Sequence, residues 1–148
     1  GHPGADAMTL RELILKRAYA VAQAVPGIVS ASCTRERAAP VGVDECPALD
    51  VSPESEPDPQ PLGAGLDRRE LTLRIRIYTA GDGTHELADP FVEAFHAGVM
   101  SDAALLGIVA GVIPGGADFE RDDADQTVGR TTQRYRVIYT TRRGSLTA

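Results

Sequence analysis

The sequence predicts an α+β fold: a mostly antiparallel sheet of about five strands, with an N-terminal helix and two central helices packed on it. Two observations predict this fold. Apolar residues recur at helical spacing near the N-terminus and around residues 91–99, whereas other segments alternate with the two-residue period of a strand. The resulting order, α, β, β, β, α, α, β, β, lacks a βαβ rhythm, which favours antiparallel pairing with the helices on one face.

The first helix is predicted over residues 10–24. Thr9 suits its N-cap, apolar residues follow at mostly helical spacing, and Pro26 with Gly27 ends the pattern. The next two segments, IVSASCTRER and CPALDVSPE, alternate and carry β-branched residues. Both are predicted strands, the second ending before Pro53, and a loop around AAPVGVDE joins them.

The segment SPESEPDPQPLGAG is rich in proline and in acidic residues. Proline removes a backbone donor and stiffens the chain, and the acidic side chains keep the segment in water. We therefore expect a long exposed loop over residues 53–65 that does not join the sheet.

A central strand is predicted for RRELTLRIRIYTA, because its apolar and polar residues alternate strictly. Each set faces one side of the strand. The apolar face consists of Leu71, Leu73, Ile75 and Ile77, and the polar face consists of Thr72, Arg74, Arg76 and Tyr78.

Two helices and two strands are predicted in the second half of the chain. The first helix has Pro90 in its first turn, where proline is tolerated, and buries Phe91, Phe95 and Val99. A short helix follows in DAALLGIVAG, with Ser101 as N-cap and Gly111 near its end, and GVIPGG is expected to be a turn. The chain then forms a strand in ADFERD, a bend in DADQTVG and a long strand in RTTQRYRVIYTT, which carries Tyr135, Val137 and Tyr139 on one face.

Length and composition indicate one domain over residues 9–143. The chain has 148 residues, 43% of them hydrophobic, and no apolar run near the length of a membrane span. Residues 1–8 are expected to be a cloning remnant or a disordered extension, and residues 144–148 a tail. Cys33 and Cys46 lack the spacing of a zinc site or a disulfide framework, so both are expected to be reduced.

Candidate catalytic groups are few. HELAD resembles a zinc-binding helix with an acid in place of its second His, but Pro90 makes this segment the first turn of a helix, which favours a solvated turn over ligation by His85. Cys33 with His85 or His96 lacks a local sequence that would activate the thiol. No phosphate-binding glycine loop with a following Lys is present. The sequence therefore predicts neither an enzyme nor a cofactor.

Charge is segregated along the chain, whose net charge is −6. Residues 44–58 carry acids and no base, whereas residues 129–143 carry arginines and no acid. One predicted strand carries Arg74 and Arg76 on one face, and another carries Arg134 and Arg136 on one face. If these two strands are neighbours, the four arginines form one basic patch. The negative charges that pair with them come from the same chain, from a second subunit or from a phosphate backbone. The acidic net charge favours a protein partner over nucleic acid, and no sequence-specific nucleic-acid binding is expected.

The acidic stretch DFERDDADQ is interpreted as a solvated bend between two strands. It lacks the ligand pattern of an EF-hand loop. A weakly held divalent cation that assists oligomerisation stays open as an alternative. The oligomer or partner contacts expected here are Arg121, Asp122, Asp123 and Asp125, together with the four arginines above.

The last two strands resemble the tail terminator family of long-tailed bacteriophages, the minor tail protein U type. Phe119, Arg121, Asp122 and Asp123 resemble that family's strand with an aromatic residue and an Arg-Asp-Asp run, and VIYT resembles its final strand. VMSDAALLGIV, ELTLRIRIY, CPALDV and LRELILKRA resemble further family elements in the same order, so the likeness spans residues 10–140. The Pro-rich segment 53–65 and residues 37–43 depart from the family pattern.

The resemblance implies a structural protein of a phage or prophage tail. Such a protein forms a hexameric ring on the completed tail tube, stops tube polymerisation, and presents the surface for the head-tail connector. Its expected partners are copies of itself, the tail tube protein and the connector, and its expected location is the virion tail, or the host cytoplasm during assembly. The alternatives are a small α+β binding or regulatory domain, and a metal-dependent enzyme that uses His85 and the acidic bend.

Overall fold

The computed structural model describes residues 8–81, 85–122 and 128–147, with the side chain of Asp122 left out. The fold is α+β with a mostly antiparallel sheet, as predicted, and the sheet has six strands. The helices are α1 (Leu10–Gln23), α2 (Asp89–Val99) and α3 (Ala103–Leu106). The strands are β1 (Cys33–Arg35), β2 (Ala48–Ser55), β3 (Gln60–Pro61), β4 (Leu66–Ala80), β5 (Gly111–Asp122) and β6 (Val128–Arg142).

The sheet has the order β1-β2-β4-β6-β5, and β3 pairs with the start of β4. Among the described strands, β1 and β2 run parallel, and the other pairs are antiparallel. β4 and β6 pair along their whole length, from Leu66 opposite Arg142 to Ala80 opposite Val128. Two long, fully paired strands therefore form the centre of the sheet.

The core lies between one face of this sheet and the helices. The predicted apolar face of β4 is at most 1% exposed, and Tyr135, Val137 and Tyr139 of β6 are buried beside it. Ile14 and Ala18 of α1 and Phe95 and Val99 of α2 belong to the same cluster. Fully burying a large apolar side chain contributes about 1.5–3 kcal/mol, so this two-residue alternation fixes which face of the sheet carries the helices.

The helix ends differ from the prediction at one cap. Thr9 caps α1 as predicted, its Oγ1 accepting from Glu12 N at 3.1 Å. Asp102, not Ser101, caps α3 through a bond from Leu105 N to Asp102 Oδ2 of 2.9 Å. The Ser101 hydroxyl instead donates to Ala97 O, four residues back. The prediction of Ser101 as N-cap is therefore wrong, and α3 ends at Leu106, well before Gly111.

Two proline segments join the sheet, contrary to the prediction. β2 continues through Pro53 to Ser55, with a register shift between them, and Gln60 and Pro61 pair with Arg68 and Asp67. GVIPGG is the start of β5, with a second register shift between Pro114 and Ala117. Proline is tolerated at these positions because β5 is an edge strand and β1 flanks β2 only at Leu49–Val51. Most side chains of residues 53–65 are nevertheless exposed.

The segment IVSASCTRER forms less strand than predicted. Only Cys33–Arg35 pairs, and Ser30–Ser32 forms a 3₁₀ turn before it.

The C-terminal segment contacts the first helix, because Leu10 N donates to Leu146 O at 2.8 Å.

Candidate interaction surface

The sheet face opposite the helices carries the arginines that the sequence analysis singled out. Arg74 and Arg76 of β4 alternate with the buried apolar residues, and Arg134 and Arg136 of β6 do the same. Arg74 lies directly opposite Arg134 in the register. The two arginine rows therefore lie on neighbouring strands, which is the condition that the sequence analysis set for a shared patch. We call this side of the sheet the open face, because no described helix covers it.

Acidic side chains of the same chain form ion pairs with arginines of the open face. Arg134 binds Glu54 of β2 and Asp118 of β5, each at 2.6 Å. Arg136 Nη1 lies 3.3 Å from Glu70 Oε1. The expectation that these arginines contact a neighbouring copy stays a prediction. Within the chain, Arg74 donates from Nε to Ser52 Oγ at 3.2 Å, and Arg134 and Arg136 pair with acids. The sequence did not reveal this because the acids come from strands that only the sheet order brings alongside.

A buried carboxylate organises one end of the open face. Asp50 of β2 is 1% exposed, and its Oδ2 accepts from Arg76 Nη2 at 2.7 Å. Its Oδ1 accepts from Thr34 Oγ1 at 2.7 Å and from Arg37 N at 2.9 Å. Both carboxylate oxygens are therefore used, and Asp50 ties β1, β2, β4 and the following loop together. Sequence reasoning missed this residue, although an acid between Leu49 and Val51 in a predicted strand is a usable signal.

Arg37 fixes the loop that follows β1. Its Nε donates to Ala39 O at 2.9 Å, its Nη2 donates to Pro40 O at 2.8 Å, and its Nη1 pairs with Glu45 at 2.8 Å. Arg76 Nη2 also donates to Arg37 O at 2.9 Å. Two arginines thus attach residues 37–45 to the open face.

A second set of ionic contacts holds the helices. Arg17 binds Asp102 through Nε and Nη2, at 3.1 and 2.9 Å, and this contact lowers the pKa of the Asp102 carboxyl. Glu56, in the proline-rich segment, pairs with Arg11 of α1 and accepts from the Tyr139 hydroxyl. That segment is therefore attached to the core side of the molecule at one of its acids, a contact that the sequence did not indicate.

The remaining predicted site residues lie at the end of the β5–β6 pair. Arg121 lies opposite Gly129, and Asp122 pairs with Val128. Asp123 and Asp125 lie outside the described residues. Phe119 is 57% exposed, and its ring centroid lies 5.0 Å from that of His85.

Two of the groups considered for chemistry, Cys33 and His96, contact the core. Burial raises the pKa of the Cys33 thiol to about 11, with a further contribution from Asp50, which disfavours the reactive thiolate. His96 Nδ1 lies 3.0 Å from the hydroxyl of the core residue Tyr135, and not against a thiol. Among residues 8–81, 85–122 and 128–147, no group of three or more His, Cys, Asp or Glu side chains is placed to hold a metal ion. Within the same ranges, no helix has the length and hydropathy needed to cross a bilayer.

Comparisons with known proteins leave the family open. Neither a protein-family model nor a curated protein matches the chain. A chain of the solved structure "Virion of native gene transfer agent (GTA) particle" is similar at 15% identity and a TM-score of 0.46, over 95% of this chain and 100% of that chain. A likeness of this degree assigns neither a family nor a function.

Proposed function

We propose that this chain is a structural tail terminator of a phage or prophage particle. In this role it forms a ring, hexameric in the family that it resembles, on the finished tail tube. The ring stops tube polymerisation and offers the surface to which the head-tail connector attaches. No catalytic step and no cofactor belong to the proposal.

The observation that carries the proposal is the β5–β6 pair. The sequence likeness to tail terminators is most specific at the strand pair formed by the Arg-Asp-Asp segment and the final VIYT strand, and the first segment carries Phe119, Arg121, Asp122 and Asp123. These two segments are neighbouring antiparallel strands, with Phe119 opposite Thr131 and Asp122 opposite Val128. The elements found in family order along the sequence also occur in the fold as helix, strand, long central strand, helices and strand pair.

The surfaces available for ring contacts follow from the sheet. A closed ring needs two different, complementary surfaces on each copy. Among the described strands, β5 pairs only with β6, so its outer edge offers backbone groups, together with the exposed side chains of Ile113 and Phe119. The open face offers charges already paired within the chain, which suit specificity of docking more than affinity. We place the ring contacts at the β5 edge and its acidic end.

Native mass spectrometry and light scattering test the proposal. A species of six times the 15.7 kDa chain mass is expected, and Mg²⁺ in one arm tests whether a divalent cation assists assembly. The charge-reversal variant Asp122→Arg/Asp123→Arg is expected to lose the ring, because it inverts the acidic end of the strand pair. Asp58→Arg, an exposed acid in the proline-rich segment, is the matched control. A purely monomeric wild type, or a ring unaffected by the double reversal, would contradict the proposal.

A small binding or regulatory domain is the second candidate. The observation that favours it is the pairing of Arg134, Arg136 and Arg76 with acids of the same chain, which leaves the open face balanced without a neighbour. A monomer or dimer at all concentrations, with or without Mg²⁺, is the outcome that selects it.

A further inference from the structure

The open face contains a cavity whose polar lining residues are mainly arginines. Its volume is about 380 Å³, and it lies between the loop after β1 and the ends of β4, β5 and β6. Its polar lining consists of Arg37, Arg76, Arg121, Arg130, Tyr78 and Glu120. Glu120 is the only acid among these lining residues, so the lining carries four arginines against one acid in an otherwise acidic protein.

The carboxylates that pair with two of these arginines lie behind the wall. Asp50 binds Arg76 from the neighbouring strand, and Glu45 binds Arg37 from the loop, and neither acid lines the cavity. These acids fix the positions of the guanidinium groups without occupying the space in front of them. Preorganised cationic donors in a concave surface concentrate anions there.

Two arginines at the cavity have unused donors. Arg130 pairs with Glu120 through Nη2, and Arg76 uses Nη2 for both Asp50 and Arg37 O. The Nε atoms of Arg76 and Arg130 are buried and have no hydrogen-bond partner among the described residues. A buried donor without a partner is destabilising, and a guanidinium group that tilts toward a bound anion recovers such a bond. Tyr78, opposite Arg130 in the register, adds a hydroxyl to the same wall.

We infer that this cavity is a binding site for an oxyanion, a phosphate or carboxylate group, held by Arg76 and Arg130. A planar guanidinium fork matches the oxygens of either group better than a point charge does. The anion comes either from solution or from an acidic side chain of a second copy. Only the second source rests on the proposed ring.

Nitrogen-15 NMR of the arginine side chains tests the site directly. Inorganic phosphate is titrated against sodium chloride at equal ionic strength, and the Nε–H signals of Arg76 and Arg130 are followed. Saturable shifts of both signals with phosphate alone are expected. Shifts that grow without saturation, or that chloride reproduces, overturn the inference.

Variants locate the site. Arg130→Gln removes the charge, and Arg130→Lys keeps it while removing the fork. Both are expected to weaken phosphate binding at least tenfold, a difference of about 1.4 kcal/mol. Arg136→Gln, which removes an open-face arginine outside the cavity, is the control and is expected to bind as the wild type does. Circular dichroism tests whether each variant is folded. If Arg130→Gln does not fold, the comparison of phosphate binding uses Arg130→Lys. Equal binding by the folded Arg130 variant and the control overturns the inference.

Light scattering with and without phosphate distinguishes the two sources. If a carboxylate of a second copy occupies the cavity, phosphate competes with it and lowers the mass of the assembly. If the ligand is a free anion, saturation leaves the mass unchanged. A monomer that still binds phosphate supports the site and contradicts the ring, so the two proposals fail separately.

Discussion

Replacing Asp50 by Ala is expected to destabilise the fold severely. The side chain is 1% exposed and accepts hydrogen bonds from Arg76, Thr34 and the backbone of Arg37. Its removal leaves the Arg76 side chain, itself only 13% exposed, without its carboxylate. Removing one partner of a buried ion pair costs about 3–5 kcal/mol, against a total stability of about 5–15 kcal/mol for a domain.

Urea denaturation measures this loss. For the Asp50→Ala variant, the midpoint concentration falls while the slope m stays constant, and the melting temperature drops by about 6–20 °C. The control is Glu70→Ala, which breaks the more exposed pair with Arg136, whose side chain is 48% exposed. Exposed pairs contribute up to about 1 kcal/mol, so the two variants should differ several-fold in the free energy of unfolding.

The double variant Asp50→Ala/Arg76→Ala separates charge from packing. If the cost comes from an uncompensated buried guanidinium, the double variant is more stable than the sum of the two single losses predicts. A loss for Asp50→Ala no larger than that of Glu70→Ala would refute the reasoning. So would strictly additive single losses, because they would mean that the two side chains act independently.

Three further predictions concern the helix side of the sheet. Burial raises the pKa of Tyr135 and of Tyr139 to about 12, above the unfolded value near 10, so the stability tied to their protons is complete below about pH 10 and is lost toward pH 12. Urea denaturation above pH 10 should show this loss, at up to about 1.4 kcal/mol per pH unit and proton, and Tyr135→Phe should flatten it. The hydrogen bond from Arg17 lowers the pKa of Asp102. The stability that the ionised Asp102 contributes is therefore present above the unfolded pKa near 3.9 and is lost as the pH falls below it. The Asp102→Ala variant should lose about 1–2 kcal/mol of unfolding free energy at pH 7, and its stability should depend less on pH in acid. Gly98→Ala should lower the melting temperature despite a gain of about 1 kcal/mol in helix propensity, because the added Cβ would lie 2.8 Å from a Val21 methyl; an unchanged or higher value would contradict this clash.

The sequence predicts best what one segment determines alone. The alternation at Leu71, Leu73, Ile75 and Ile77 gives a strand and its buried face without knowledge of any neighbour, and both predictions are confirmed. The Thr9 cap is equally local, because donor and acceptor are three residues apart. Features of this kind depend on short-range geometry, which the order of residues specifies directly.

The sequence predicts poorly what depends on a neighbouring element. Pro53 and Pro114 argue against a strand interior, yet each lies where one side of its strand pairs with no described strand, and this depends on the order of strands. The choice between Ser101 and Asp102 as cap likewise depends on Ala97 O of the preceding helix, which takes the serine hydroxyl. The partners of Asp50 are as far as 26 residues away along the chain.

Charge segregation along the chain does not amount to charge segregation on the surface. The acidic residues 44–58 and the basic residues 129–143 read as separate elements, but folding brings Glu54 within 2.6 Å of Arg134 and places Glu56 against Tyr139. A docking surface is therefore expected where pairing within the chain leaves hydrogen-bond donors without a partner. Arg76 and Arg130 at the cavity meet this condition, because the acids that orient them use one nitrogen of each and their Nε donors stay unpartnered among the described residues. The four arginines in the sequence thus indicate the charged face of the sheet, whereas the Nε donors without a partner indicate where on that face we infer anion binding.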